Sequence, residues 1–161
     1  MGRPASTSSP ALALIEAILR GRTVSQSPAD GPQPASVFVP FAERDGEATL
    51  VLTRRSQEVR RHKGEIAFPG GISEPADASA RETALRETVE ELGVAASKLT
   101  VWGELDPVET SSGYALSIFT GRLDGLDGLQ PNSREVAEVI PVPVAALLDE
   151  SAVRNETRLV A

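Results

Sequence analysis

Cysteine is absent from the 161-residue chain, which removes disulfides, zinc–thiolate sites and thiol nucleophiles together. Histidine occurs once, as His62, and a lone imidazole beside arginines is more often a surface or packing residue than a general base. Aromatic residues make up 4% of the chain, and Trp102 and Tyr114 lie in segments that read as strands, so both are expected in the core rather than stacked on a base. No apolar run approaches the length that crosses a bilayer, which excludes membrane insertion. Residues 1–9 are small and polar and lack the apolar stretch of a secretory signal, so a cytoplasmic location is the expectation. Positive charge is short as well: a formal net charge of −7 argues against the overall field that nucleic-acid binding requires, while leaving room for a local basic patch.

What remains is ordinary for a soluble globular chain, with 40% hydrophobic and 24% charged residues, and the length suits one compact domain. Ser9 and Pro10 read as the cap and first position of a helix that runs to about Arg20 and stops at Gly21. Residues 22–35 mix Ser, Asp, Gly and Pro without periodicity and read as a loop. The organisation expected is therefore an N-terminal tail, short helix and linker over residues 1–35, followed by a folded domain over 36–161. Residues 36–41 and 48–53 are rich in Val, Phe and Leu and flank Glu43-Arg-Asp-Gly46, the pattern of two strands joined by a hairpin turn. Residues 99–105, 114–123 and 136–144 read as further strands, and 143–149 as a short closing helix. No repeat of fixed period is present.

The chemically specific segment lies between the second and third of these strands. Gly64-Glu-Ile-Ala-Phe-Pro-Gly-Gly71 leads through Ile72-Ser-Glu-Pro-Ala-Asp77 into residues 78–92, where Ala, Leu, Arg and Glu dominate. Asp77 is suited to cap this helix and Gly93 to end it in the left-handed conformation. Ala84, Leu85, Val89 and Leu92 form an apolar stripe, while Glu87, Glu90 and Glu91 fall three and four residues apart on a shared face. Like charges at that spacing repel, and Arg86 offsets only part of the excess, so a divalent cation is the natural occupant of the cluster. Oxygen-only ligands suit Mg²⁺ or Mn²⁺. Alone, a Glu-Glu pair usually marks a solvated helix face. The Phe68-Pro-Gly-Gly71 turn changes the weighing, because glycines let backbone carbonyls and amides approach a metal or phosphate closely.

These residues resemble the Nudix box. Arg86-Glu-Thr-Val-Glu-Glu-Leu-Gly-Val94 matches its second half, with Thr88 at a position that is aliphatic in the pattern. In the first half, six positions on from Gly71 stands Asp77, and eight back from Arg86 stands Ala78 where the pattern has Glu, so the loop is one residue longer than the common form. A second resemblance lies upstream. Leu52-Thr-Arg-Arg-Ser56, then Arg60, Gly64 and Phe68-Pro-Gly-Gly71 at three-residue intervals are similar to the signature of coenzyme A pyrophosphatases, whose members share the longer loop. The two motifs together cover residues 51–94. Further on, Asn132-Ser-Arg-Glu-Val-Ala-Glu138 resembles a Pro-X-Glu-Val-X-Glu stretch of the family.

The resemblance implies an α/β/α sandwich with a central mixed β-sheet and the box as loop-helix-loop. It implies metal-dependent hydrolysis of a diphosphate linkage, with coenzyme A yielding 3′,5′-ADP and 4′-phosphopantetheine. ADP-ribose, dinucleoside polyphosphates and nucleoside triphosphates are rival substrates, and a catalytically silent nucleotide-binding module is the alternative of another class. Glu87 and Glu91 are then the principal metal ligands and Glu90 their support, with Arg86 in the same catalytic set. A carbonyl of Gly70 or Gly71 completes the shell, and Glu87 is alternatively the group that orients water. Arg54, Arg55, Arg60, Arg61 and Lys63 form a basic island in an acidic chain, and guanidinium forks suit phosphate oxygens. Within it, Arg55 and Arg60 stand at signature positions and are the candidates for substrate binding, alongside Gly70 and Gly71. Glu135 or Glu138 is the nearest candidate for a separate base. The expected partner is a small nucleotide, neither nucleic acid nor membrane, and a homodimer is admissible.

Overall fold

The computed structural model describes residues 8–24, 33–59, 62–110 and 113–152. Its centre is β1 (Gln33–Arg44), a long strand that pairs in parallel with β6 (Tyr114–Leu123) on one side and antiparallel with β2 (Glu47–Arg55) on the other. β5 (Leu99–Glu109) continues the sheet beyond β6, and β7 (Val136–Pro143) lies antiparallel to β2. Two short strands, β3 (Ile66–Ala67) and β4 (Gly70–Ile72), attach to β2 and β1 respectively. Among the described residues the sheet is therefore mixed, with seven strands.

Alternation along the strands decides which helix covers which face. On β1, Phe38 and Ala42 point to one side, where they meet Ala84 and Leu92 of α2 (Ala80–Leu92). Phe41 points to the other, where it stacks on Trp102 with ring centroids 5.8 Å apart. Trp102 and Ala48 in turn enclose Leu12 of α1 (Pro10–Arg20), which is almost wholly buried. Helices thus cover both faces and the layers are α/β/α. Burying Phe38 completely contributes roughly 3 kcal/mol of hydrophobic stabilisation, so the α2 face is anchored at the strand that carries the site. Trp102 is a core residue, as its strand position suggested.

Several local expectations hold. α1 has the anticipated bounds, and the Ser9 hydroxyl accepts from the Leu12 N–H. Asp45 and Gly46 both have positive φ, the twist that lets a two-residue turn close a hairpin. Gly93 ends α2 at φ 61, where a side chain would also collide with the Gln130 carbonyl. Other expectations are corrected. α2 starts at Ala80, not at 78, and its cap is Ser79, whose side chain accepts from the Glu82 N–H, not Asp77. β1 and β5 run longer than the apolar segments that announced them, because pairing with β6 extends the start of β1 and the end of β5, and the hairpin with β2 extends the end of β1. The closing helix shrinks to a single turn, α3 (Val144–Leu147), after β7. The glycine turn hides β3 and β4, too short to show a period of their own. Among the described residues no helix is long and apolar enough to cross a membrane.

Candidate active site

The site begins with a close approach of two backbones. β4 runs against the start of β1 with Gly70 opposite Val37 and Gly71 opposite Ser36, and the Phe38 N–H donates to the Pro69 carbonyl at 2.9 Å. A Cβ on Gly70 would strike the Ser36 carbonyl and Val37, so only glycine permits this spacing. A Cβ on Gly71 would strike something different: the carboxylate of Glu87. The two glycines therefore have separate duties, one toward the sheet and one toward the helix.

α2 is seated by Ala84 against Phe38 and Phe119, which turns Glu87 and Glu91 toward this strand. Glu91 is only 4% exposed, and its Oε2 has no hydrogen-bond partner. Burial pushes its carboxyl up to about 7; the Arg55 guanidinium opposes that rise, the negative charges of Glu87 and Glu135 add to it, and a backbone hydrogen bond from Gly70 resists it. Glu87 is raised too, first by burial, with Arg86 opposing and Glu90 and Glu135 adding to the shift. Glu90 does not join this pair. Its side chain is 52% exposed and leans back to Arg86 at 3.3 Å, a helix i,i+4 contact. Among the described residues no three carboxylates are drawn into a preformed metal cage.

Arg86 ties the site's segments together. It grips Asp77 with both arms, Nε to Oδ1 at 2.9 Å and Nη2 to Oδ2 at 3.0 Å, and also donates to Glu87, Glu90 and the Ile72 carbonyl. Asp77 accepts further from the Glu74 N–H and the buried Thr83 hydroxyl, and the Arg86 guanidinium holds its carboxyl well below the usual range. The residue expected as a helix cap is thus the clamp between loop and helix. Asp77 stands six positions after Gly71, where the box pattern has Glu. Thr83 was missed by sequence reasoning, because Asp77 lies outside the helix and no helical spacing links the two. Thr88 is also explained, since it is wholly buried and its hydroxyl donates to the Ala84 carbonyl at 2.7 Å, leaving no unmet polar group where an aliphatic is usual.

The basic island divides. Arg54 and Arg55 point to opposite faces of β2: Arg54 pairs with Glu138 in solvent, whereas Arg55 reaches Glu91 with Nη1 3.7 Å from Oε1. His62 pairs with Glu65 at the surface. Arg60 and Arg61 lie outside the described residues. Of the two acidic residues weighed as a base, Glu138 is engaged by Arg54, while Glu135 is held near Glu87 and Glu91. The backbone secures it: Asn132 N–H donates to the Glu91 carbonyl at 3.0 Å, and Ser56 N–H donates to the Glu135 carbonyl at 2.8 Å. A cleft of about 850 Å³ lies elsewhere, between the β1–β2 turn and residues 125–131, and contains none of Glu87, Glu91, Gly70 or Gly71.

The donor set suits a hard divalent cation. Two desolvated carboxylates whose charges oppose each other, one with an unsatisfied buried oxygen, lie against glycine backbone with no side chain in the way. The donors these groups offer are all oxygens, the ligand type that hard divalent cations take.

Comparison with known proteins places this architecture in a family. Residues 32–161 match the NUDIX domain, and the chain belongs to the Nudix family. Among curated relatives, Nudix hydrolase NudL of Yersinia enterocolitica, itself uncharacterized, is 42% identical over 110 residues, covering 68% of this chain and 56% of that protein. NudL of Photorhabdus laumondii is 39% identical over 123 residues, covering 76% and 65%. The match thus spans about three fifths of these relatives' length. Solved structures share the fold at lower identity. RenU, a Nudix hydrolase from M. smegmatis, superposes with a TM-score of 0.60 at 23% identity, covering 74% of this chain and 75% of that one. The NUDIX domain of Shewanella oneidensis NrtR, solved with ADP ribose, superposes with a TM-score of 0.57 at 21% identity, covering 77% and 82%.

Proposed function

We propose that the chain hydrolyses a diphosphate linkage in a nucleoside diphosphate derivative, with coenzyme A or its esters as substrate and Mg²⁺ or Mn²⁺ as cofactor. The observation that carries this reading is the pair of a buried Glu91 and a half-buried Glu87 facing Gly70 and Gly71, with one Glu91 oxygen unsatisfied. Glu87 and Glu91 would hold the cation, with Glu90 in support and a backbone carbonyl at Gly70 or Gly71 beside them. When bound, the cation supplies charge neutralisation at the phosphates and lowers the pKa of water. Arg86 and Asp77 keep Glu87 at its post, and Gly71 leaves room for the diphosphate to approach it. Glu135 is the residue we assign to accept the proton of the attacking water as the new phosphorus–oxygen bond forms and the bridging one breaks.

The choice of coenzyme A rests on the signature over residues 52–71, and action in the cytoplasm belongs to the same reading. A fold neighbour bound to ADP ribose, and another that is a C. elegans Ap4A hydrolase, make those compounds the competing substrates. The test is a hydrolysis screen of coenzyme A, its esters, ADP-ribose and diadenosine compounds with Mg²⁺ or Mn²⁺, products identified by mass. The expected products are 3′,5′-ADP and 4′-phosphopantetheine. Preferential cleavage of ADP-ribose would move the substrate assignment, and nucleotide binding without any turnover would make the domain a silent module.

A further inference from the structure

Arg55 and Glu91 form an unusual pair. The other site arginine, Arg86, meets its carboxylates with hydrogen bonds of 2.9–3.3 Å, but Arg55 stops at 3.7 Å from Glu91, beyond hydrogen-bonding distance. Both partners keep a buried atom without a hydrogen-bond partner, Nε of Arg55 and Oε2 of Glu91, although Glu91 is almost fully buried. Unmet donors and acceptors on buried charged groups are costly, so this arrangement leaves both partners short of their best ligands. The Arg55 side chain as a whole is not sealed in, being 29% exposed.

The backbone beneath Arg55 is firmly held. Its N–H donates to the Glu65 carbonyl at 2.9 Å, and its carbonyl accepts from the Gly64 N–H at 3.1 Å. The β2–β7 register shifts between Arg54 and Arg55, an irregularity of the kind that re-aims a side chain. The strand therefore fixes where Arg55 starts, while the side chain's contact with Glu91 stays loose.

We propose that Arg55 serves the scissile diphosphate directly: it partly neutralises Glu91 before a cation arrives, then turns its guanidinium to a non-bridging phosphate oxygen beside the carboxylate pair. This rests on the hydrolase reading above and sharpens it. Arg55 is then a common reader of any diphosphate, not a reader of the remote 3′-phosphate of coenzyme A. It is also a competitor of the metal, which a purely structural arginine is not.

Two variants of the full chain, Arg55→Gln and Arg55→Lys, test this. Mn²⁺ titration by calorimetry at one fixed alkaline pH should show Arg55→Gln binding the metal about tenfold more tightly than wild type, with Arg55→Lys close to wild type. In the same variant kcat/KM should fall about 100-fold on coenzyme A and on dephospho-coenzyme A alike, with partial recovery in Arg55→Lys. Unchanged or weaker Mn²⁺ binding by Arg55→Gln at an unaltered melting temperature overturns the inference. So does a loss confined to the substrate that carries the 3′-phosphate. Wild-type protein that binds Mn²⁺ but cleaves none of the screened compounds sinks the hydrolase reading and the phosphate contact with it, whereas failure of the Arg55 variants alone leaves hydrolysis standing.

Discussion

Replacing Glu91 with Gln separates the electrostatic state of the site from its catalytic output. In the folded chain the Glu91 carboxyl holds its proton up to about 7, against an ordinary value of 4.5. Between those values the folded state binds more protons than the unfolded one, so stability of the metal-free protein falls as pH rises through this window and levels off above it. The displacement corresponds to about 3 kcal/mol lost on ionisation. For a domain of this size that is a drop in melting temperature of roughly 10 °C between mildly acidic and mildly alkaline buffer. A glutamine at 91 carries no titrating proton, so the variant should lose this slope, apart from any constant offset from placing an amide there. Mn²⁺ should raise the melting temperature of wild type most strongly at alkaline pH, where the carboxylate is already free of its proton, and should leave Glu91→Gln unmoved. Turnover in the variant should fall by roughly a thousandfold or more. The assay is thermal melting in chelator and in excess Mn²⁺ across the pH range, with hydrolysis measured in parallel. Parallel melting curves for wild type and variant in chelator would refute the claim that Glu91 is desolvated.

Other substitutions probe the neighbouring parts. Gly71→Ala places a methyl against the Glu87 carboxylate, a movable group, so melting should change little while kcat drops about 100-fold, checked by melting and steady-state kinetics. Asp77→Asn weakens the grip on Arg86, and because the Asp77 carboxyl is held below its ordinary value, its stabilisation is present above the normal carboxylate range and lost as the medium turns acid. Acid titration followed by circular dichroism should therefore show a shallower loss of structure in Asp77→Asn than in wild type, from a lower starting stability. Thr88→Val removes a hydroxyl and its Ala84 partner bond within the same volume, and chemical denaturation should find a change within about 1 kcal/mol.

The parts of the fold read correctly from the sequence are those whose signals are local. Ser9, Pro10 and the residues after them specify α1 by capping chemistry that depends on no distant partner. Asp45-Gly46 specifies the hairpin because few residue pairs accept two positive φ values. β3 and β4 could not be read in this way, since β3 is made by pairing with β2, and the pairing of β4 is decided by how closely Gly70 can approach Ser36 across more than thirty positions of chain. The start of α2 was misplaced for a related reason. Asp77 and Ser79 both have capping side chains, and the choice fell to Ser79 because Arg86, one turn and more along the helix, claims the aspartate.

The same contrast governs the site. Helical spacing put Glu87, Glu90 and Glu91 on a shared face; in the structure Glu87 and Glu91 face the glycine turn while Glu90 is exposed against Arg86, and spacing alone does not weigh the pull of Arg86 one turn back. Nor does spacing separate Arg54 from Arg55: adjacent and chemically identical, they fall to opposite faces of β2, one to a solvent pair with Glu138 and one to the buried Glu91. That division depends on the strand's alternation and on the irregularity against β7, both properties of the assembled sheet. Glu135 belongs to the same class, because its nearness to Glu87 and Glu91 is set by backbone hydrogen bonds from Asn132 and Ser56 to two different elements. The helix supplies carboxylates that sequence can identify; the strand ends supply the countercharge and a further carboxylate, and only the closed sheet brings them to it.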